Sequence, residues 1–232
     1  MSKIIFITGT DTGVGKTMIT ALLLRHLRSK GVKALAMKPF CSGGREDAEL
    51  LLSLQFGEVT LDEVNPFYFS EPLAPWVAVK CEKGRKQIPL KTVLKKISDQ
   101  KKRCDVLLIE GSGGLLVPLG VDYTVLDLIK ALKCQVLVVG KNQLGTINHT
   151  LLSFFALQAV DAKLFAVVLT KCEKPDFSAA TNLDAIEKWS KYVARLKLFE
   201  LPYLGKNAGT HEGISRGQKK VKKVLAGISE CI

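Results

Sequence analysis

The segment Gly9–Thr17, GTDTGVGKT, ends in Gly15-Lys16-Thr17, the triplet that closes a phosphate-binding loop. In the common form, four residues separate a first glycine from that triplet. Here Thr10 holds the first-glycine position and the glycine stands one residue earlier, at Gly9, so the loop is longer by one. Backbone N–H groups of Gly13, Val14, Gly15, Lys16 and Thr17, opening a helix, would form a nest for phosphate oxygens. Lys16 is expected to reach the β- and γ-phosphates, and the Thr17 hydroxyl to ligate Mg²⁺. A glycine-rich strand-to-helix turn without a ligand is the plainer alternative. Because the triplet opens a helix directly after an apolar strand, nucleotide binding is the preferred reading. A dinucleotide fingerprint does not fit, since Met18 stands where its third glycine would be.

Two carboxylates are candidates to join Thr17 around the metal, Asp47 and Glu110, because Mg²⁺ takes oxygen ligands. Asp47 opens a helical run, where helix capping is its ordinary role. Glu110 ends an apolar strand, where an unpaired carboxylate is costly and a cation nearby is favoured. Lys38 ends another such strand. It is either a surface lysine or a charge-neutralising group for a transferring phosphoryl.

These residues need a scaffold that brings them together. Continuous apolar runs predict buried strands at Lys3–Thr8, Val32–Lys38, Asp105–Glu110, Gln135–Gly140 and Leu164–Thr170, with a short last strand near Leu198. Helical patterns lie between them, at Lys16–Ser29, from Asp47, at Leu90–Ile97, Val125–Ala131, Ile147–Ala159 and Ala179–Arg195. Pro39–Asp47 reads as loop, and the prolines of Asn65–Gly84 predict loop and short turns there. The alternation predicts an α/β fold of the P-loop NTPase type, a mostly parallel sheet with helices on both faces, in one domain over residues 1–232. In such sheets ligands bind beyond the carboxyl ends of the strands. The polar loops after the first, second and third strands fall at that edge.

The bulk numbers exclude several classes. A hydrophobic fraction of 47% supplies a core, and no apolar run approaches the ~20 residues that span a bilayer. With no signal-peptide core, a cytoplasmic location is expected. Six cysteines are scattered without a C-x-x-C pair, and three histidines lie far apart, which argues against disulfides or a zinc site. The net charge of +12 is concentrated between Lys83 and Arg103 and in Arg216–Lys223. Leu90, Val93, Leu94 and Ile97 share one helix face, which turns Lys91, Lys95 and Lys96 outward. No aromatic residues interleave with them as a nucleic-acid platform requires. Solvated helix faces are preferred to a nucleic-acid or membrane surface.

The motifs GTDTGVGKT, KPFCSG followed by DA, VNPFYFSEPLAP, EGSGGLLVPL, VVGKNQLGTINH and LPYLG, in that order, resemble the dethiobiotin synthetase family over nearly the whole chain. The lengthened loop is that family's own pattern. The resemblance implies ATP- and CO₂-dependent closure of a cyclic urea on 7,8-diaminononanoate (7,8-diaminopelargonate), giving dethiobiotin, ADP and phosphate. It implies that Lys16, Lys38 and Thr12 serve the reacting groups and that Thr17, Asp47 and Glu110 hold Mg²⁺. Thr12, Lys38, Ser42, Gly113 and Gly114 would line the carbamate and diamine. The family is typically homodimeric, with Leu144–His149 reaching the partner's site, so Leu144 and Asn148 would be substrate contacts across the dimer.

Two departures stand out. The connection from Ser42 to Asp47 is shorter than the family's. Where the family carries an asparagine for adenine, this chain reads Thr170-Lys171-Cys172. With Thr170, Lys171 and Pro202 as the residues at the base, weak selectivity among nucleotides is expected. The competing readings are another P-loop amide ligase, for which the chain has no glutamine-hydrolysing partner domain, and a partitioning or division-site switch ATPase. That switch reading would use Val221, Val224, Leu225 and Ile228 as a surface anchor. The loop lacks the extra signature lysine of those switches.

Overall fold

The protein is described by a computed structural model, which covers residues 2–84, 86–190 and 196–232. Its main sheet has six strands, β1 (Lys3–Gly9), β2 (Ala34–Met37), β5 (Val106–Glu110), β6 (Gln135–Asn142), β7 (Lys163–Lys171) and β8 (Lys197–Leu201). Their order across the sheet is β2-β5-β1-β6-β7-β8, and every neighbouring pair is parallel. All five residues of β5 and all four of β2 are buried. Successive strand side chains point to opposite faces, so burial at every position means that both faces are covered.

Helix α1 (Lys16–Ser29) runs straight out of the phosphate loop. Ile19, Leu22, Leu23 and Leu24 on it are fully buried, and it packs against β1, β2 and β5. Gly31, with φ of 78°, takes the left-handed turn that ends it. The remaining helices include α2 (Glu46–Ser53), α5 (Leu90–Lys101), α6 (Val125–Leu132), α7 (Thr146–Gln158) and α8 (Asn182–Trp189). On α5, Val93 and Ile97 are buried and Lys91, Lys95 and Lys96 are exposed, as the periodicity predicts.

The structure departs from the sequence reading in three places. First, Pro39–Asp47 and Asn65–Gly84 are not simply loops. They hold β3 (Phe40–Ser42), β4 (Phe67–Phe69) and α4 (Pro75–Cys81), and a short helix, α3 (Leu61–Val64), lies between the two segments. β3 and β4 form a small parallel sheet of their own, with the Phe40 and Phe67 ring centres 5.1 Å apart. Pro75 occupies the first turn of α4, where a missing N–H costs nothing, so it starts a helix instead of breaking one. Second, the helix expected over Ala179–Arg195 is a 3₁₀ turn (Phe177–Ala180) followed by α8. The buried Asn182 amide turns inward to Asn142 and Ser178 at this joint, and residues 191–195 lie outside the described residues. Third, the C-terminal apolar stripe is not free. Helices α9 (His211–Lys220) and α10 (Lys222–Ser229) pack on α1, burying Val221, Leu225 and Ile228. That removes the anchor invoked for a switch ATPase. Among the described residues no helix is long and apolar enough to cross a membrane.

Candidate active site

The parallel register determines which loop residues meet. Met37 of β2 lies beside Ile109 of β5, so the next residues, Lys38 and Glu110, emerge side by side at the carboxyl edge. Ile7 of β1 pairs with Glu110, and two residues later β1 passes into the phosphate loop. Three strands thus deliver Gly9, Lys38 and Glu110 to one edge.

Close packing explains why the glycine stands at Gly9. A Cβ there would lie 2.7 Å from Asp11 O and 2.9 Å from both Lys16 Nζ and Val14 Cγ2. The loop therefore folds back over a bare Cα. Gly13 and Gly15 carry φ of 63° and 99°, the left-handed region that other residues resist. Gly15 is the N-cap of α1 and has no side chain with which to cap it. The Lys16 side chain is almost fully buried and donates to Asp11 O at 2.8 Å. Burial lowers its pKa, Glu110 partly restores it, and the Lys38 charge lowers it further.

Glu110 is the hub. Only 1% exposed, it accepts a hydrogen bond from Thr17 Oγ1 at 2.7 Å and holds Lys38 Nζ 3.0 Å from its Oε1. The Lys38 ammonium also pairs with Asp47 Oδ2. Burial opposes the Lys38 charge, but Glu110 and Asp47 outweigh it and raise its pKa above the ordinary lysine range. Asp47 lies in the first turn of α2 and does not cap it: Arg45 is the N-cap, and no side chain caps that end. Glu110 Oε2 is buried and has no hydrogen-bond partner among the described residues. An open carboxylate oxygen, a threonine hydroxyl and a second carboxylate form the all-oxygen donor set that a hard divalent cation takes. A buried acceptor left without a donor is otherwise costly.

The loop after β5 approaches the phosphate loop from the other side. Gly114 packs against the backbone of Gly9 and Thr10, and a Cβ on Gly113 would come 3.7 Å from Thr12 Cγ2. Thr12 itself is at the exposed tip, its N–H donating to Asp11 Oδ1 at 2.6 Å. Ser42 ends β3, and the Ser112 hydroxyl donates to Phe40 O at 3.0 Å, tying the loop after β5 to that strand. Leu144 and Asn148 stand apart. Leu144 is 80% exposed and Asn148 is exposed in the first turn of α7. Gly145, not Asn148, is the N-cap of that helix.

At the expected base position the structure corrects the reading of Thr170. Its hydroxyl is buried, donates to Val14 O at 2.9 Å and lies 3.3 Å from Gly140 O. It therefore braces the phosphate loop and does not face outward to read a base. Lys171 is engaged as well: its ammonium lies 2.7 Å from Glu200 Oε2. Glu200 Oε1 accepts from Asn142 Nδ2 at 2.8 Å, and Asn142 Oδ1 accepts from Asn182 Nδ2 at 2.8 Å. Sequence reasoning missed this chain of groups. The polar residues Asn142 and Glu200, each near the end of an apolar strand, were its only signal. Pro202 is exposed just past β8.

A family model described as an AAA domain matches residues 3–207. The ATP-dependent dethiobiotin synthetase BioD of Bacillus licheniformis is 40% identical over 190 residues, covering 79% of this chain and 80% of that protein. The protein of the same name from Aquifex aeolicus is 38% identical over 204 residues, 85% of this chain and 91% of its own length. That of Anaeromyxobacter sp. is 43% identical over 183 residues, covering 77% and 81%. Among solved structures, the Pyrococcus furiosus cell division ATPase MinD superposes with a TM-score of 0.59 at 21% identity, covering all of both chains. A Cyanthece apo McdA superposes at 0.60 and 17%, covering 100% of this chain and 99% of that one. At those identities the structural likeness speaks for the fold alone.

Proposed function

The chain belongs to the ATP-dependent dethiobiotin synthetase family, and we propose how its residues divide the work of that ligase of biotin biosynthesis. One amine of 7,8-diaminononanoate takes up CO₂ to form a carbamate. The carbamate oxygen then attacks the γ-phosphorus of ATP and ADP departs. The neighbouring amine attacks the carbonyl carbon of the mixed anhydride and expels phosphate, closing the ring. No protein nucleophile is needed. The protein's contribution is position and charge.

The backbone from Gly13 to Thr17 cradles the phosphates. Lys16, once it exchanges Asp11 O for a phosphoryl oxygen, meets the charge that develops on transfer. Lys38, kept protonated by Glu110 and Asp47, supports the same charge from the opposite wall. Thr17, Asp47 and Glu110 would hold Mg²⁺, which when bound neutralises charge on the β- and γ-phosphates. The carbamate and diamine lie between Thr12, Lys38, Ser42 and the Gly113–Gly114 backbone. Thr170 serves the loop, and the base lies against the ends of β7 and β8, near Lys171 and Pro202.

The substrate site is completed by a second copy of the chain. On α7, Asn148, Leu152 and Phe155 fall on one exposed face at helical spacing, Leu152 being 58% and Phe155 67% exposed. With Leu144 they continue to the loop the family uses across its dimer. The protein would work as a homodimer in the cytoplasm.

The observation that carries this reading is the open Oε2 of buried Glu110, one carboxylate away from Lys38 and one hydroxyl away from the phosphate loop. Stoichiometry tests it. Phosphate release should require the diamine and equal the dethiobiotin formed. Steady phosphate release without diamine, with no product when it is present, contradicts it.

A further inference from the structure

The brace between Thr170 and the phosphate loop fixes where a base must lie. Thr170 holds Val14 O, and a Cβ on Gly15 would come 3.1 Å from Thr170 Cγ2. Thr170 is also in register with Leu201 of β8. A nucleotide with its phosphates in the loop therefore turns its base toward the residues that follow Thr170 and Leu201. Exposed groups there include Lys171, Glu173, Pro202 and Tyr203.

Lys171 is fixed from beneath. Glu200 takes one of its N–H donors, and Glu200 is itself held by the buried Asn142 amide, which the buried Asn182 amide holds in turn. An ammonium has three donors and no acceptor, so two remain for a ligand. Glu173 stands two residues beyond Lys171 on the same loop. It lies close enough to Tyr203 that, after desolvation, its charge helps hold the Tyr203 phenol above its ordinary pKa. An ionised carboxylate only accepts. Tyr203 and Pro202 add a flat apolar surface that any purine can use.

We propose that Lys171 and Glu173 together make this base site accept guanine at least as well as adenine, with the ammonium on O6 and the carboxylate on the N1–H and N2 amino group. The proposal rests on the reading of Gly13–Thr17 as a phosphate cradle. Guanine offers acceptors where the site has donors, and donors where it has an acceptor. Adenine offers the opposite. Its N6 amino group meets the ammonium, and its N1 lone pair meets the carboxylate. GTP then supports ring closure alongside ATP.

The test is calorimetric titration of the whole protein with ADP and with GDP, each with Mg²⁺. GDP should bind as tightly as ADP or more tightly. Glu173→Gln supplies an amide that both donates and accepts, which matches the adenine edge. It should shift the GDP-to-ADP affinity ratio toward ADP by about tenfold or more. Glu173→Ala should weaken GDP and spare ADP, and Lys16→Ala should weaken both equally. A wild-type preference for ADP of more than about twofold overturns the proposal. So does a ratio that neither Glu173 variant moves. If neither nucleotide binds, the phosphate-cradle reading fails with it.

Discussion

Lys38 Nζ and Glu110 Oε1 lie 3.0 Å apart at the ends of two neighbouring parallel strands. The register of β2 on β5 creates this pair before any ligand arrives. With Thr17 donating to the same oxygen, Oε1 is spoken for and Oε2 is the free acceptor. Glu110→Gln would turn an acceptor into a donor at that point, and Asp47→Asn would remove the second charge. Each should raise the Mg²⁺ concentration for half-maximal activity by about tenfold, roughly 1.4 kcal/mol. Titrating activity against Mg²⁺ checks this. Unchanged half-maximal concentrations in both variants would make these carboxylates structural.

Thr170→Val keeps the shape and removes the donor that holds Val14 O. Losing one buried hydrogen bond of ~1 kcal/mol should weaken ADP and GDP binding by about the same factor, roughly fivefold. The ratio between the two should not move, because the hydroxyl faces the loop. A change in base preference in this variant would return Thr170 to the base site.

The dimer reading predicts complementation. Asn148→Ala and Lys16→Ala, each inactive alone, should regain activity when their subunits are exchanged, since one composite site in the mixed dimer is intact. Phe155→Asp should shift the protein to a monomer in sedimentation, because it places a charge on the exposed apolar stripe of α7. Mixed dimers without activity, or a wild-type protein that sediments as a monomer, would contradict a shared site.

His26 supplies a pH signature. It is buried between α1 and α10, with Ser229 Oγ 3.4 Å from its Nε2. Desolvation lowers its pKa from 6.5, and the charges of Lys30 and Lys222 add to that. The unfolded chain therefore takes up this proton first as pH falls. Stability from neutral His26 is full above pH 6.5 and is lost as pH drops toward the folded-state value. Urea midpoints at pH 8 and pH 5 should fall further for wild type than for His26→Gln. Equal falls would mean that His26 does not titrate differently in the two states.

Much of the fold is legible in the sequence because buried parallel strands announce themselves as unbroken apolar runs. Ile4–Ile7 and Val136–Val139 are examples, and the phosphate loop follows one of them. β3 and β4 were not legible. Three-residue strands among prolines carry no periodicity, and their pairing depends on Phe40 and Phe67 meeting across 27 residues of chain. Lys16, Thr17, Lys38 and Glu110 were nameable because strand ends and the loop triplet single them out. The role of Thr170 was not, since a hydroxyl's partner depends on which backbone lies above it. The Lys171–Glu200 pair joins two strands whose register no local pattern encodes.

A site of this kind carboxylates and closes a diamine at the expense of a nucleoside triphosphate. The most direct measurement incubates the protein with labelled bicarbonate, 7,8-diaminononanoate, Mg²⁺ and ATP, and follows label into acid-stable dethiobiotin. Lys16→Ala serves as the folded control. Label should enter dethiobiotin only with both ATP and the diamine present, and should fall about 10²–10³-fold in Lys16→Ala, the loss expected when one preorganised stabiliser of transition-state charge is removed. No label in dethiobiotin, or undiminished label with Lys16→Ala, would contradict that chemistry.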